Sequence, residues 1–320
     1  SYNIEQILFK GCFNEMGSRL KTNLTLFGET VPASLVKNLD ETSLSEDLSA
    51  KLEEDGYLLL RKIYDPCEVI EARRRILQSL HDVGEVNDPF DAGIFSGTSN
   101  RRNIYPTTQK LGEFWRKISE MEELRKVING EEISKVMNRI FAEQSAYFSF
   151  AWLRALVQGK ASPMHVDHPY MNRGTDKLLT CWTPLGEIGE NEGTLYVLQK
   201  SHLWPDIKDR FLGRDIDSSP SFIGHIEENP LELVNRTRSN FLTSSFSPGD
   251  CLIFGMFTVH GSFDNNSKSN KVRLSCDTRF QPKSHPMDPR FSGPNPEAHR
   301  GLGYGCLSSS LPLTESASLK

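Results

Sequence analysis

No C-x-x-C pair occurs in the chain. Its six cysteines, at 12, 67, 181, 251, 276 and 306, are too scattered for a disulfide scaffold or a zinc ribbon. Cys181, Cys251 and Cys276 fall inside apolar, strand-like runs and read as buried small hydrophobes in a reducing compartment. The expected location is therefore intracellular, in the cytoplasm. Long apolar runs are also missing, so no membrane-spanning helix is expected. Ser1–Lys10 has no basic segment followed by an apolar block, so it does not read as a secretory signal. The first residue is not Met, as expected of a trimmed chain. An excess of positive charge is absent: 37 Lys and Arg stand against 42 Asp and Glu, a net charge of -5. That balance argues against a general nucleic-acid binder. What is present is enough apolar material for a core, 37% hydrophobic and 9% aromatic, which excludes a disordered chain. Sequons begin at Asn23, Asn235 and Asn265, a number close to chance at 320 residues, and are discounted.

Residues 1–50 are polar and weakly periodic and read as an extension that packs on the core. A single domain is expected over 51–282, helical over 51–145 and β-rich over 146–282, with a tail over 283–320. Leu48 to Glu54 reads as a short helix stopped by Gly56, and Tyr57–Leu60 as a strand. The next helix has Asp65 as its cap, Pro66 at its first position and Glu68 two residues on. Val69, Ile70, Ile76, Leu77 and Leu80 give its apolar face, and Gly84 ends it. The segment 91–102 reads as a loop, followed by helices near 110–128 and 131–143. From Ala146 the pattern changes to short apolar runs between turn residues, the signature of an all-β unit: 147–157, 177–184, 193–198, 250–260 and 271–280. The polar stretch 203–247 reads as an insert that serves as a lid or binding segment. The Pro-, Gly- and Ser-rich tail is expected to be extended. No internal repeat is visible.

The run from Lys271 to Phe280 alternates. Lys271, Arg273, Ser275, Asp277 and Arg279 are polar, while Val272, Leu274, Cys276, Thr278 and Phe280 are mostly apolar. Alternation across a strand puts the polar set on one face. One reading is an outer strand with that face in water. The other is a barrel strand lining an anion-binding cavity. The preceding run, Asp250 to His260, is apolar on both faces and so reads as one central strand ending in His260-Gly261-Ser262. His165-Val166-Asp167 stands 95 residues before His260. On a strand, His-x-Asp puts imidazole and carboxylate on one face. With a distant histidine they supply two nitrogens and one oxygen to one face of an octahedral ion. That is the 2-His-1-carboxylate arrangement for non-haem Fe(II), with open positions opposite. Arg273 and Ser275 share a direction and offer a fork and a hydroxyl suited to a 2-oxo dicarboxylate.

With these residues in place, the sequence resembles the phytanoyl-CoA dioxygenase family of Fe(II)/2-oxoglutarate oxygenases. Asp55-Gly56-Tyr57 to Arg61 with Asp65-Pro66 looks like the family's opening strand and helix. His165 to Met171, Arg173-Gly-Thr175 and Leu179 to Gly186 look like its metal segment and following strand. Glu192 to Leu198, Ser201-His202, His260-Gly-Ser262 and Val272 to Gln281 look like its later strands. The resemblance spans about Leu52 to Gln281. It implies a mainly β fold, a double-stranded β-helix (jelly roll, cupin-like), with flanking α-helices. It implies His165, Asp167 and His260 as iron ligands. Arg273 would bind the distal carboxylate of 2-oxoglutarate, with Ser262, Trp182, Thr180 and Ser275 as further contacts. The family's arginine falls where this chain has Lys271, which leaves Lys271 as the competing anchor. Dioxygen is implied as co-substrate and ascorbate as a reductant. Asp167 argues against halogenation, which needs that ligand position small.

Tyr170, Met171, Arg173 and Arg154 are candidates for the substrate pocket. His168 is expected to point away from the site, His202 to serve a turn, and His81, His225, His285 and His299 to lie on the surface. The run 73–75 reads as a solvated helix face. The expected activity is hydroxylation of an unactivated C–H of a small molecule, with 2-oxoglutarate going to succinate and carbon dioxide. Desaturation, ring formation, an inactive jelly-roll binding protein and a jelly-roll isomerase are the alternatives. No nucleic-acid or membrane partner is expected, and the oligomeric state is unassigned. For an acyl-CoA substrate, Arg101-Arg102 is the one hint of a phosphate groove.

Overall fold

A computed structural model of the protein describes residues 23–219 and 221–315. Cys12 and residues 1–22 of the expected N-terminal extension lie outside the described residues. The described chain opens with a hairpin, β1 (Thr25–Leu26) and β2 (Glu29–Thr30), and then β3 (Val36–Asn38). Helix α1 (Leu48–Asp55) is capped by Asp47, whose carboxylate accepts from the amides of Ser49 and Ala50. Gly56 ends it at φ 80°, where a β-carbon would collide with the His202 ring. After β4 (Tyr57–Leu60), Asp65 accepts from the Cys67 amide and Pro66 opens α2 (Pro66–Asp82), as expected. Ile70 departs from the expected face and lies exposed. The expected helix over 110–128 is two, α3's successors: after α3 (Arg101–Ile104) come α4 (Thr108–Ser119) and α5 (Glu122–Ile128), broken at Glu120–Met121. Helix α6 (Glu131–Phe141) follows.

The β-rich part contains β5 (Ser145–Tyr147), β6 (Trp152–Leu156), β7 (Leu179–Pro184) and β8 (Leu195–Leu198). The segment 203–247 is more structured than expected of an insert. It carries α7 (Pro205–Phe211), α8 (Pro230–Thr237) and β9 (Phe241–Thr243). Then come β10 (Cys251–Gly255), β11 (His260–Ser262) and β12 (Arg273–Pro282). The order β4-β10-β7-β12-β5 makes one sheet, with β6 also pairing β12, and β11-β8-β9-β3 makes a second. All these pairings are antiparallel except β3 with β9.

The two sheets pack face to face. Leu59, Trp182, Leu252 and Phe254 of the larger meet Leu195, Val197 and Leu242 of the smaller. The alternate residues Leu58, Leu60, Cys181, Cys251, Ile253, Leu274 and Cys276 point the other way, into a core built with α2, α4, α5 and α6. Helices α7 and α8 cover the outer face of the smaller sheet through Ile207, Phe211, Leu233 and Val234.

Two expectations change here, and one of the two readings of the 271–280 run is decided. The run 250–260 is not one strand. It turns at Gly255–Thr258, and β11 belongs to the opposite sheet. Both β10 and β11 are buried, so apolarity alone cannot reveal the crossing. Strand β12 is no outer strand: every one of its residues is buried, and its polar face looks between the sheets. The tail is not simply extended. Short turns dock Tyr304, Leu307 and Leu313 into the helical core. The buried Arg101 guanidinium donates to the carbonyls of Ser309, Ser310 and Leu311 and pairs with Glu85.

Candidate active site

His165, outside any strand, meets His260 of β11 at a single bridge. Each donates its amide to the other's carbonyl, at 2.9 and 3.0 Å. That pairing sets the two rings 4.2 Å apart. Residues 165–167 are not a strand. His165 is a lone bridge residue, and Asp167 begins the turn His168–Tyr170. The convergence survives because the turn brings the carboxylate back: Asp167 Oδ1 lies 3.6 Å from His165 Nε2 and 3.8 Å from His260 Nε2. The candidate ligand atoms of the three residues all lie within 4.8 Å of one another.

The surroundings prepare these groups for a cation. His165 Nδ1 lies 2.8 Å from the Pro163 carbonyl and His260 Nδ1 2.9 Å from the Thr258 carbonyl. Each Nδ1 is thereby the protonated nitrogen, and each Nε2 presents a lone pair. Burial, with His260 adjacent, lowers the His165 pKa to about 3, and burial lowers that of His260. Burial would raise the Asp167 carboxyl. The Arg279 charge, the two histidines and the Thr180 hydroxyl outweigh it and hold the group well below the usual carboxylate range. Thr180 and Arg279 both bond Oδ2, the guanidinium at 3.1 Å, so Oδ1 alone turns to the histidines. Two neutral imidazoles and one anchored carboxylate are the donor set that suits ferrous iron with an open face.

A small cavity opens beside this group, lined by Arg154, Trp182, Ser262, Arg273 and Asp277 among others. Arg273 is 3% exposed. It donates to Ser275, and its Nε has no partner among the described residues. Burial, with the nearby Arg154 charge, lowers it to about 9. A buried, half-partnered guanidinium is costly unless an anion joins it. Ser262 accepts from the Ser162 amide at 2.7 Å, which leaves its hydroxyl proton to donate. Trp182 is wedged edge-on to Phe246. Lys271 is occupied elsewhere, on Glu192 at 2.9 Å and the Glu187 carbonyl at 2.8 Å.

The family model described as phytanoyl-CoA dioxygenase matches residues 52–273. The chain belongs to the phytanoyl-CoA dioxygenase family. As such it is a non-haem oxygenase that uses Fe(II), 2-oxoglutarate and dioxygen. Two 1-deoxypentalenic acid 11-beta-hydroxylases are similar to it. That of Streptomyces exfoliatus is 26% identical over 281 residues, 84% of this chain and 94% of the relative. That of Streptomyces arenae is 25% identical over 280 residues, 82% and 90% of the two chains. A solved structure, the non-heme alpha ketoglutarate dependent carbocyclase SnoK from nogalamycin biosynthesis, is 17% identical with a TM-score of 0.51, covering 78% of this chain and 90% of that one. That likeness speaks for the fold.

Several other expected site residues do not line the cavity, while Arg154 does. Thr180 supports Asp167 and does not line the cavity, and Ser275 holds Arg273 from below. Met171 points into the hydrophobic core, because the turn after Asp167 reverses its direction. Arg173 is tied to Asp215 of the 203–247 segment at 2.6 Å. Tyr170 stands edge-on to His165, ring centres 5.8 Å apart. Arg154 donates through Nε to Asp277 at 2.8 Å. His168 is buried against Phe257, off the ligand cluster. His299 is not on the surface: it bonds Asp217 at 3.0 Å and faces Tyr170. His225 is half-buried, its backbone bridged to His165. Arg73 is likewise not solvated but donates to the Asp91 carbonyl at 2.6 Å. Arg101 and Arg102 form no phosphate groove, since Glu85 and Glu315 occupy them.

Arg279 and Asp277 are the site residues whose roles the sequence left unassigned. Alternation put both on the polar face, but only the fold reveals which carboxylate each guanidinium meets. No helix among the described residues is long and apolar enough to cross a membrane.

Proposed function

We propose that the protein hydroxylates an unactivated C–H of a small molecule, with His165, Asp167 and His260 holding iron and Arg273 anchoring 2-oxoglutarate. The two packed sheets are then the halves of a double-stranded β-helix. The observation that carries the reading is the meeting of three ligand atoms within 4.8 Å beside a cavity whose deepest charge is Arg273. Bound iron supplies activation of dioxygen coupled to decarboxylation of 2-oxoglutarate. The chain's own residues do the placing. Arg273 and Ser262 fix the distal carboxylate, Trp182 walls the cavity, and Thr180 with Arg279 keeps Asp167 to one coordinating oxygen. The packed sheets exclude water from the reacting end. The substrate enters beside Arg154, the lining residue whose side chain is partly exposed. Hydroxylation is favoured over desaturation or ring formation because both curated relatives are named for hydroxylating a substrate.

Succinate release from 2-oxoglutarate with Fe(II) tests the reading, together with products that gain one oxygen atom. We expect His165→Ala and Asp167→Ala to abolish both. Normal decarboxylation in those variants would overturn the ligand assignment. Succinate without any oxygenated product across a broad screen would overturn hydroxylation.

A further inference from the structure

We propose that Arg154 anchors a carboxylate of the substrate, so that the molecule oxidised is an organic acid held by its anion at the mouth of the cavity. This inference rests on the iron and 2-oxoglutarate placement proposed above.

The first argument is charge. Arg154, Arg273 and Arg279 face only Asp167 and Asp277 around the ligand cluster and its cavity. A ferrous ion and a 2-oxoglutarate dianion cancel, so one guanidinium charge stays uncompensated with both bound. Asp277 Oδ2 is shared, 2.8 Å from Arg154 and 4.0 Å from Arg279, so the excess falls on this pair. An excess charge in a mostly buried site calls for an anion.

The second argument is place. Arg273 is the deep cation, and its neighbours Trp182 and Ser262 lie on β7 and β11. Arg154 sits on β6, which pairs β12 away from β7 for that stretch of strand, and its side chain is 26% exposed. The deep position suits the ligand that binds first. The partly exposed one suits the ligand that arrives last.

The third argument is the free hydrogen-bonding edge. Arg154 spends Nε on Asp277, and neither Nη donates among the described residues. Two parallel Nη donors match the two oxygens of a carboxylate. Tyr170, whose ring stands beside His165, adds a hydroxyl with no hydrogen bond among the described residues. Arg154 lines the same cavity as His165 and His260, so an anion held on Arg154 leaves the rest of the molecule over the metal ligands.

The test is titration of the anaerobic Fe(II)–2-oxoglutarate protein, followed by its visible charge-transfer absorption. The probes are cyclohexanecarboxylate, decanoate and abietate, each beside its methyl ester and primary alcohol. We expect at least one acid to bind about tenfold or more tighter than its ester and alcohol, as a charged hydrogen-bonded pair would give. Arg154→Gln should reduce that preference to about twofold or less, and Arg154→Lys should restore part of it. The melting temperature of each variant reports that it is folded. The proposal is overturned if no acid is preferred, if the preference survives in Arg154→Gln, or if that variant weakens 2-oxoglutarate more than the acid. Separate titration of Fe(II) and 2-oxoglutarate distinguishes the two levels. Loss of binding there in the unaltered protein sinks the underlying reading as well.

Discussion

Arg273 and Lys271 stand two residues apart with the same strand parity, and their surroundings divide their roles. Lys271 neutralises Glu192 at the rim, whereas Arg273 is buried with an unpartnered Nε in the cavity. Arg273→Ala should therefore raise the 2-oxoglutarate requirement by roughly a hundredfold, the scale of a lost charge-assisted pair. Lys271→Ala should change it by about threefold or less, as for a rim ion pair. Steady-state titration of 2-oxoglutarate checks both, and the reverse order would move the anchor to Lys271. Thr180 offers a second test at this scale. Its hydroxyl and Arg279 together keep Asp167 Oδ2 away from the histidines. Thr180→Val should weaken Fe(II) binding by about 10–100-fold, the usual effect of losing an outer-shell partner. Unchanged metal affinity would show that Arg279 suffices alone. The residue types of this site were legible from the sequence, since His-x-Asp, His260 and the alternation of β12 mark them. Their partners were not. Nothing in the spacing says that Thr180 lies under Asp167 or that Met171 turns into the core.

Elements bring these residues together in ways that apolar patterning conceals. Strands β10 and β11 are both buried, so the turn between them leaves no polar trace, yet it carries His260 from one sheet to the other. The stop of α1 and the start of α2 were readable because Gly56, Asp65 and Pro66 act locally. The tail was not, because its order depends on a partner two hundred residues away. Arg101 gathers three tail carbonyls, while Glu85 accepts from the Leu313 amide and pairs with Arg101. Glu85→Ala strands a buried guanidinium, so it should cost about 3–5 kcal/mol of stability. A lower denaturant midpoint, with faster proteolysis near residues 300–315, is the expected result. An unchanged midpoint would mean that Arg101 holds the tail without its carboxylate.

Across the described residues, the two packed sheets form the frame and the site lies between them. The helical layer covers the outer face of one, and the 203–247 segment covers the other. Metal and co-substrate then act as added core, because each binds only the folded arrangement. Mn(II) at a hundred times its dissociation constant should stabilise the fold by about 2.7 kcal/mol, several degrees of melting temperature. 2-Oxoglutarate should add a further increment only when metal is present, and Arg273→Ala should lose that second increment while keeping the first. Equal shifts from 2-oxoglutarate with and without metal would separate the two sites that the cavity joins.

The most direct measurement is anaerobic Fe(II) titration of the unaltered protein and of His260→Ala, since residue 260 comes from the opposite sheet to the one that supplies Arg273. The account predicts one ferrous ion per chain, bound tightly only when His260 is intact. Tight binding at the same stoichiometry in His260→Ala would contradict it.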